Sequence, residues 1–133
     1  MDRVFLDANV LFSASYRDDS RLLQLWKLAD VELVTSALAA GEALRNLETE
    51  LQRERLNSLL ASVTIVPEPA SNSALPSSVA LPAKDAPILL AAIQAQATHL
   101  LTGDKRHFGL LYGQVIDGVL IQRPSQFLAN QGV

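Results

Sequence analysis

The chain has 133 residues, 49% of them hydrophobic and 19% charged, with a formal net charge of −3 and no Cys. These values fit one globular domain over residues 1–133, and they exclude a disordered charged chain, a disulfide framework and a cysteine-ligated zinc site. The acidic balance argues against a general nucleic-acid binder, unless bound metal offsets part of the charge. The apolar run that ends at Asp7 is too short for a secretion signal, and no stretch approaches the ~20 apolar residues of a membrane span. We therefore expect a soluble cytoplasmic protein that does not enter a membrane.

Strands and helices are predicted to alternate along the first half of the chain. A buried strand comes first, because the apolar run at residues 3–6 stops at Asp7. The elements that follow are a helix at residues 20–29 capped by Ser20, a strand at 31–35, a helix from Ser36 to about 47, a helical stretch to about 60 and a strand at 63–66.

The second half of the chain begins with a segment rich in Pro, Ser and Ala at residues 67–84. A structureless loop of that length is uncommon inside a compact domain, so we expect a short helix near residues 72–80. The remaining predicted elements are a helix that opens at Asp85-Ala86-Pro87, strands at 98–102 and 119–121, and a helical turn at 124–130. Alternating strands and helices predict an α/β three-layer sandwich, with a mainly parallel sheet and helices on both faces.

Carboxylates follow two of the predicted strands. Asp7 and Asp104 each stand just past a strand, and ligands of parallel sheets bind beyond the carboxyl ends of the strands. Helix or turn capping explains each Asp alone about as well, and Asp85 before Ala-Pro is a good helix start. These positions are therefore candidates for a site, but none is decisive by itself.

Glu42 is harder to single out from spacing. Leu44, Leu47 and Leu51 mark the packed stripe of its helical region, and Glu42 lies off that stripe, where a solvated side chain is equally expected. Other acidic residues, such as Glu48, stand nearby, so spacing does not choose among them.

Four sequence blocks become informative when they are taken together. They are Val4-Phe5-Leu6-Asp7-Ala8-Asn9-Val10, the stretch Leu33-Val34-Thr35-Ser36 with Glu42-Ala43-Leu44-Arg45, the block from Leu81 to Leu89, and Leu100-Leu101-Thr102-Gly103-Asp104-Lys105-Arg106-His107-Phe108-Gly109. In content and order these blocks resemble the motifs of the PIN domain family, and they span nearly the whole chain. Asp-x-Asn alone is a weak signal, whereas the fourth block is much more specific.

The resemblance implies a metal-dependent ribonuclease that cleaves RNA phosphodiester bonds with a metal-activated water. The residues that it makes both catalytic and metal-binding are Asp7, Glu42, Asp85 and Asp104. It makes Asn9 and Thr102 supporting residues that orient the site. The expected cofactor is one or two Mg²⁺ or Mn²⁺ ions, which prefer oxygen ligands. Some members carry a further Asp where this chain has Lys105-Arg106-His107, so a second ion would be held weakly or only together with a substrate phosphate.

Basic residues beside the acidic positions are candidates for holding the RNA backbone. They are Lys84, Lys105 and Arg106, although an ordinary exposed charge explains each one alone. Arg45, one turn after Glu42, is an alternative partner for a carboxylate.

The histidine residues are expected to be structural, and the tyrosine residues do not predict a binding site. His99 lies in an apolar strand run, and His107 is expected to be a turn residue ahead of Phe108. Tyr16 and Tyr112 are too isolated in the sequence to predict a base-stacking platform.

Other functions remain open on the sequence alone. One alternative is a catalytically degenerate PIN domain that acts as an RNA-binding or scaffold module. Another is an aspartate-dependent phosphatase, but the haloacid-dehalogenase pattern needs a second Asp where this chain has Asn9. Small bacterial members of the PIN family are often toxins of toxin–antitoxin pairs, so the resemblance implies an RNA substrate, a cognate antitoxin and a homodimer as partners.

Overall fold

Six strands form one sheet in the computed structural model, which describes all residues from Met1 to Val133. The strands are β1 (Asp2–Leu6), β2 (Val31–Ser36), β3 (Thr64–Val66), β4 (His99–Leu101), β5 (Val115–Ile116) and β6 (Val119–Gln122). Their order across the sheet is β3-β2-β1-β4-β6-β5, and every neighbouring pair is parallel except β5 and β6. The predicted mainly parallel sheet is confirmed, with a short antiparallel edge strand, β5, that was not predicted.

Helices cover both faces of the sheet. They are α1 (Ala8–Tyr16), α2 (Ala37–Asn46), α3 (Glu50–Leu60), α4 (Ala86–Gln94), α5 (Lys105–Phe108) and α6 (Pro124–Asn130), with 3₁₀ helices at Arg21–Lys27 and Gly109–Leu111. Helix α1 packs against α2 and α3, whereas α4 packs against β2 and β4. Right-handed crossovers explain this division, because the chain moves across the sheet in one direction from β1 to β3 and in the other from β3 to β4. The predicted three-layer α/β sandwich is therefore confirmed. No helix is both long enough and apolar enough to span a membrane.

Local sequence explains where several elements begin. The Ser36 side chain accepts a hydrogen bond from the Ala39 N–H and so caps α2, as predicted. Thr49 and Gln52 form a reciprocal capping box at the start of α3. The central strand β1 ends in three buried residues, which anchor the core between the helical layers.

Two helical predictions need correction. The segment predicted as a helix at residues 20–29 is a 3₁₀ helix over Arg21–Lys27, although Ser20 caps it as expected. The helix predicted near residues 72–80 is wrong, because the structure has only isolated turns there. Pro76 lacks an N–H to donate and would interrupt a helix at the middle of this segment. Leu75 and Val79 pack against the core from the loop without a helix. Side-chain bonds from Gln94 of α4, to the Ala70 N–H and to the Ser73 hydroxyl, hold this loop instead.

The strand order puts the chain's candidate residues at one edge. Strands β2 and β4 flank β1, and the chain leaves β1 toward β2 but returns on its other side at β4. Such a reversal opens a crevice beyond the carboxyl ends of the two strands. Asp7 follows β1 and Thr102 follows β4, so both residues lie at this crevice.

Candidate active site

Asp7 is the most deeply placed of the four carboxylates. It is 5% exposed, and its Oδ1 accepts the Ala8 N–H at 2.7 Å, which caps α1. Its Oδ2 accepts the Thr102 hydroxyl at 2.9 Å and the Asn9 amide at 3.2 Å. Burial, with a smaller contribution from the nearby Glu42 and Asp85, raises the pKa of Asp7 to about 6, although the bonds from Thr102 and Ala8 oppose the rise. The ionised form is therefore costly in this pocket unless a cation is close by.

Asn9, Thr102 and Gly103 join the ends of β1 and β4. The fully buried Thr102 hydroxyl accepts the Asp104 N–H at 3.1 Å and lies 3.2 Å from the Asn9 amide nitrogen. The Gly103 N–H donates to Asn9 Oδ1 at 2.6 Å. A Cβ at Gly103 would lie 3.3 Å from that oxygen, so the absence of a side chain permits this close approach. The network fixes the position of Asp7 relative to Asp104.

Asp85 has an unsatisfied carboxylate oxygen. It stands at the start of α4, but its side chain makes no capping bond to the helix, so the capping explanation does not account for it. Its side chain is 13% exposed, and Oδ2 is buried without a hydrogen-bond partner. Burial raises the pKa of Asp85, with a further rise from Asp104, whereas His107 and Lys84 lower it. An orphaned carboxylate oxygen is costly and favours a cation or a proton beside it.

His107 lies between two of the carboxylates, a contact that the sequence did not predict. Asp104 Oδ1 accepts the His107 N–H at 3.1 Å, and Asp104 Oδ2 lies 2.8 Å from His107 Nδ1. Since an ionised carboxylate only accepts, the proton belongs on Nδ1. The same Nδ1 is 3.1 Å from Asp85 Oδ2, but its single N–H is directed at Asp104, so the Asp85 oxygen still lacks a donor. The spacing of His107 three residues after Asp104 was the available signal.

All four predicted carboxylates line one cavity of about 480 Å³. The full lining is Asp7, Ala8, Asn9, Phe12, Glu42, Asn46, Lys84, Asp85 and Asp104. Glu42 is exposed on α2 but faces this cavity, so spacing alone could not have identified it. Phe12 and Asn46 are lining residues that the sequence did not single out.

The predicted basic residues divide into two groups. Lys84 lines the cavity, whereas Lys105 and Arg106 are exposed in α5 and lie outside its lining. Arg45 forms no ion pair, so the expected pairing with a carboxylate is not found. His99 contacts Thr98 and packs edge-on against Phe127, in agreement with a structural interpretation.

The side chains of this cavity suit a divalent cation. Ligand atoms of Asp85, Asp104 and His107 lie within 4.8 Å of one another. Asp85 also carries the unsatisfied oxygen Oδ2. Asp7 and Glu42 line the same cavity but stand outside this tight group. Carboxylate oxygens are the ligands of Mg²⁺ and Mn²⁺, while an imidazole nitrogen in the set favours transition metals. The arrangement can therefore hold an ion and bring it to a phosphate group.

A parallel α/β sheet with clustered carboxylates at its topological switch point is the architecture of a protein that binds a divalent cation and acts on a phosphate group. The sequence profile of the PIN domain family matches residues 3–106, and the chain belongs to that family. Proteins with this domain are in general nucleases and typically bind divalent metals, so the chain has a nuclease-like fold with an acidic cluster. Strand β6 lies beyond the matched residues and pairs with β4. A search of the curated proteins found no match to this chain.

Proposed function

We propose that the protein is a divalent-metal-dependent ribonuclease that hydrolyses RNA phosphodiester bonds at the carboxylate cavity. The observation that carries this proposal is the buried Asp85 Oδ2, which lacks a hydrogen-bond donor among four clustered carboxylates. A scaffold protein gains nothing from this costly arrangement. A cation removes the cost and gives the arrangement a use.

One or two ions would be held by Asp7, Glu42, Asp85 and Asp104. Asp85 and Asp104 have the most closely spaced ligand atoms of the four, and His107 would orient Asp104 through its hydrogen bond. When bound, Mg²⁺ or Mn²⁺ supplies positive charge that polarises a phosphate group and makes an attacking water more acidic. A second, weaker ion is compatible with the lack of an acidic residue in the segment from 105 to 107.

The protein's own residues would orient the site and bind the substrate. Asn9 and Thr102 hold Asp7 in one orientation through bonds to its Oδ2. Lys84 is the cation closest to the substrate path, since it lines the cavity. Lys105 and Arg106 are exposed on α5 and would contact phosphates farther along the strand.

A toxin role in a toxin–antitoxin pair is the finer form of the proposal. It rests on the family resemblance, as do the antitoxin partner and a homodimer. Expression of the chain alone should arrest bacterial growth, and an Asp7→Asn variant should not. Growth that is unaffected by an active enzyme would refute the toxin role and leave the nuclease intact.

RNA cleavage tests the nuclease directly. Mixed RNAs are incubated with purified protein and Mg²⁺ or Mn²⁺, with EDTA in a parallel sample. Asp7→Asn should abolish cleavage. Asp117→Asn makes the same chemical change in the exposed turn between β5 and β6, at a positive φ that Asn also accepts, and should leave cleavage intact.

The cleavage assay also separates the nuclease from the alternatives. Cleavage that survives EDTA or Asp7→Asn would place the activity elsewhere. Absence of cleavage, with no stabilisation of the protein by Mn²⁺, would favour the degenerate scaffold.

A further inference from the structure

Helix α1 has a core face and a second face that leads away from the carboxylates. Its buried residues are Ala8, Val10, Leu11, Ala14 and Ser15. Asn9, Phe12 and Tyr16 follow one another at intervals of three and four residues, and such residues share one side of a helix. This second side begins with Asn9 in the carboxylate cavity and ends with Tyr16.

Phe12 differs from the other phenylalanines of the chain. Phe5, Phe108 and Phe127 are at most 1% exposed in the core, whereas Phe12 is only partly buried. Phe12 instead lines the carboxylate cavity together with the acidic residues. Phe12 also packs against the edge of the core, so core packing explains the buried part of the ring and leaves the rest to face the cavity.

Phe12 and Tyr16 form an aromatic pair beside the carboxylates. Their ring centroids are 5.2 Å apart, with an interplanar angle of 37°. This offset, tilted arrangement does not place one ring squarely over the face of the other. The two tyrosines are far apart in the sequence, but the structure gives Tyr16 an aromatic neighbour that the sequence analysis did not consider.

A second cavity lies beside this aromatic pair and shares one lining residue with the first. It has a volume of about 210 Å³ and is lined by Phe12, Ser13, Tyr16, Arg17 and Ser20. Phe12 lines both cavities. The candidate path for an RNA chain therefore runs from the carboxylates past Phe12 to Arg17.

Fixed groups border the path at both ends. Asn46 of α2 lines the carboxylate cavity, and the Tyr16 hydroxyl donates to Glu48 Oε1 at 3.2 Å, which holds the tyrosine ring in place. At the far end, the exposed Arg17 forms no ion pair and offers its charge to a phosphate. The order along the path is thus carboxylates, aromatic rings and a free cation.

We propose that Phe12 and Tyr16 form a subsite that binds an unpaired nucleobase of the nucleotide next to the cleaved phosphate. The inference rests on the proposed nuclease function and adds a base-binding subsite to it. Every base has a flat π face, so an aromatic subsite accepts all four bases when they are free to leave their own stack. Arg17 would hold the phosphate beyond that base, and the subsite would keep the scissile phosphate beside the carboxylates.

Binding to a labelled RNA tests the subsite without the need for cleavage. The probe is a fluorescein-labelled, mixed-sequence single-stranded RNA, measured by fluorescence anisotropy with Mg²⁺ in the Asp7→Asn background. Phe12→Leu keeps an apolar side chain but removes the ring, and should weaken binding by about 5- to 150-fold, the range for loss of one base stack. Phe12→Tyr should restore binding. Leu110→Ala removes a side chain that is 91% exposed outside both cavities, and should not change binding.

A probe without bases separates stacking from contact with the backbone. Phe12→Leu should not affect the affinity for an abasic ribose-phosphate strand of the same length. Equal losses for both probes, or no loss for either, would overturn the base subsite. Failure of the parent protein to bind the RNA would also overturn it.

The two proposals can fail separately. If the wild-type protein cleaves RNA and Phe12→Leu neither weakens binding nor slows cleavage, the subsite is wrong and the nuclease stands. If no RNA is cleaved but binding depends on Phe12 for the base-containing probe alone, the subsite stands and the nuclease is wrong. Thermal denaturation of each variant shows whether it folds, and rescue by Phe12→Tyr excludes a packing defect.

Discussion

Replacement of Asp7 by Asn should change how the stability of the metal-free protein depends on pH. Burial raises the pKa of Asp7 from 3.8 to about 6 in the folded protein. Between these two pH values the folded state binds more protons than the unfolded state, so the free energy of unfolding falls as the pH rises. The raised pKa corresponds to about 2.5 kcal/mol lost between pH 4 and pH 7.

Asp7→Asn has no proton to lose, so it should lack this part of the pH dependence. The difference in unfolding free energy, variant minus wild type, should rise by about 2.5 kcal/mol from pH 4 to pH 7. The raised pKa of Asp85 adds a slope of the same sign to both proteins and largely cancels in the difference. Bonds lost by the substitution shift the whole curve and do not produce this slope.

Urea unfolding in EDTA at several pH values measures the effect. Asp117→Asn, which changes an exposed carboxylate outside the cavity, serves as the matched control and should not reproduce the rise seen for Asp7→Asn. A difference between Asp7→Asn and wild type that stays constant or falls with pH would refute the assignment of a costly buried charge to Asp7.

Three further substitutions test the hydrogen bond to Asp7, the contact between Gly103 and Asn9, and the packing of the core. Thr102→Val removes the hydroxyl that donates to Asp7 at 2.9 Å, so the unfolding free energy should fall by about 1–3 kcal/mol and the affinity for Mn²⁺ should drop. A calorimetric titration that matches the wild type would contradict this. Gly103→Ala places a Cβ 3.3 Å from Asn9 Oδ1, so Mn²⁺ affinity should fall several-fold with little loss of thermal stability; an unchanged affinity would mean that the Asn9 contact is dispensable. Leu56→Ala, in a completely buried position, should lower the unfolding free energy by about 2–5 kcal/mol in urea, and a loss below ~1 kcal/mol would show that the site is less tightly packed than the structure indicates.

Local signals carried most of the correct predictions. The apolar run before Asp7 and the Thr-Gly-Asp segment at residues 102–104 each mark a strand that ends at the same sheet edge, which parallel pairing then brings together. The capping residue Ser36 also gave the start of α2 correctly, because its hydroxyl interacts with the backbone only three residues away.

Contacts between residues that are far apart in the sequence could not be predicted. His107 reaches Asp85 only because α4 and α5 both begin at the carboxylate cavity, and no short-range pattern encodes that distance. The role of Glu42 in the cavity lining likewise depends on how α2 packs against α1, because Glu42 itself lies on an exposed face.

The sequence did not predict helix α1, and so it did not predict the aromatic pair that this helix carries. Residues 8–16 mix apolar residues with Ser and lack a charged face, so they show no clear amphipathic stripe. Burial against the helices α2 and α3 and the 3₁₀ helix at Arg21–Lys27 stabilises α1 in place of that pattern. Once α1 is helical, the spacing of Phe12 and Tyr16 makes them neighbours.

Calorimetric titration with Mn²⁺ is the most direct test of the metal site. The wild-type protein should bind the ion. Asp85→Asn should weaken that binding by at least tenfold, since it removes one of the carboxylate charges and with it the unsatisfied carboxylate oxygen that would bind the ion. Asp117→Asn should bind as the wild type does. Absence of Mn²⁺ binding in the wild-type protein, or equal binding by Asp85→Asn, would contradict a metal centre built on these carboxylates.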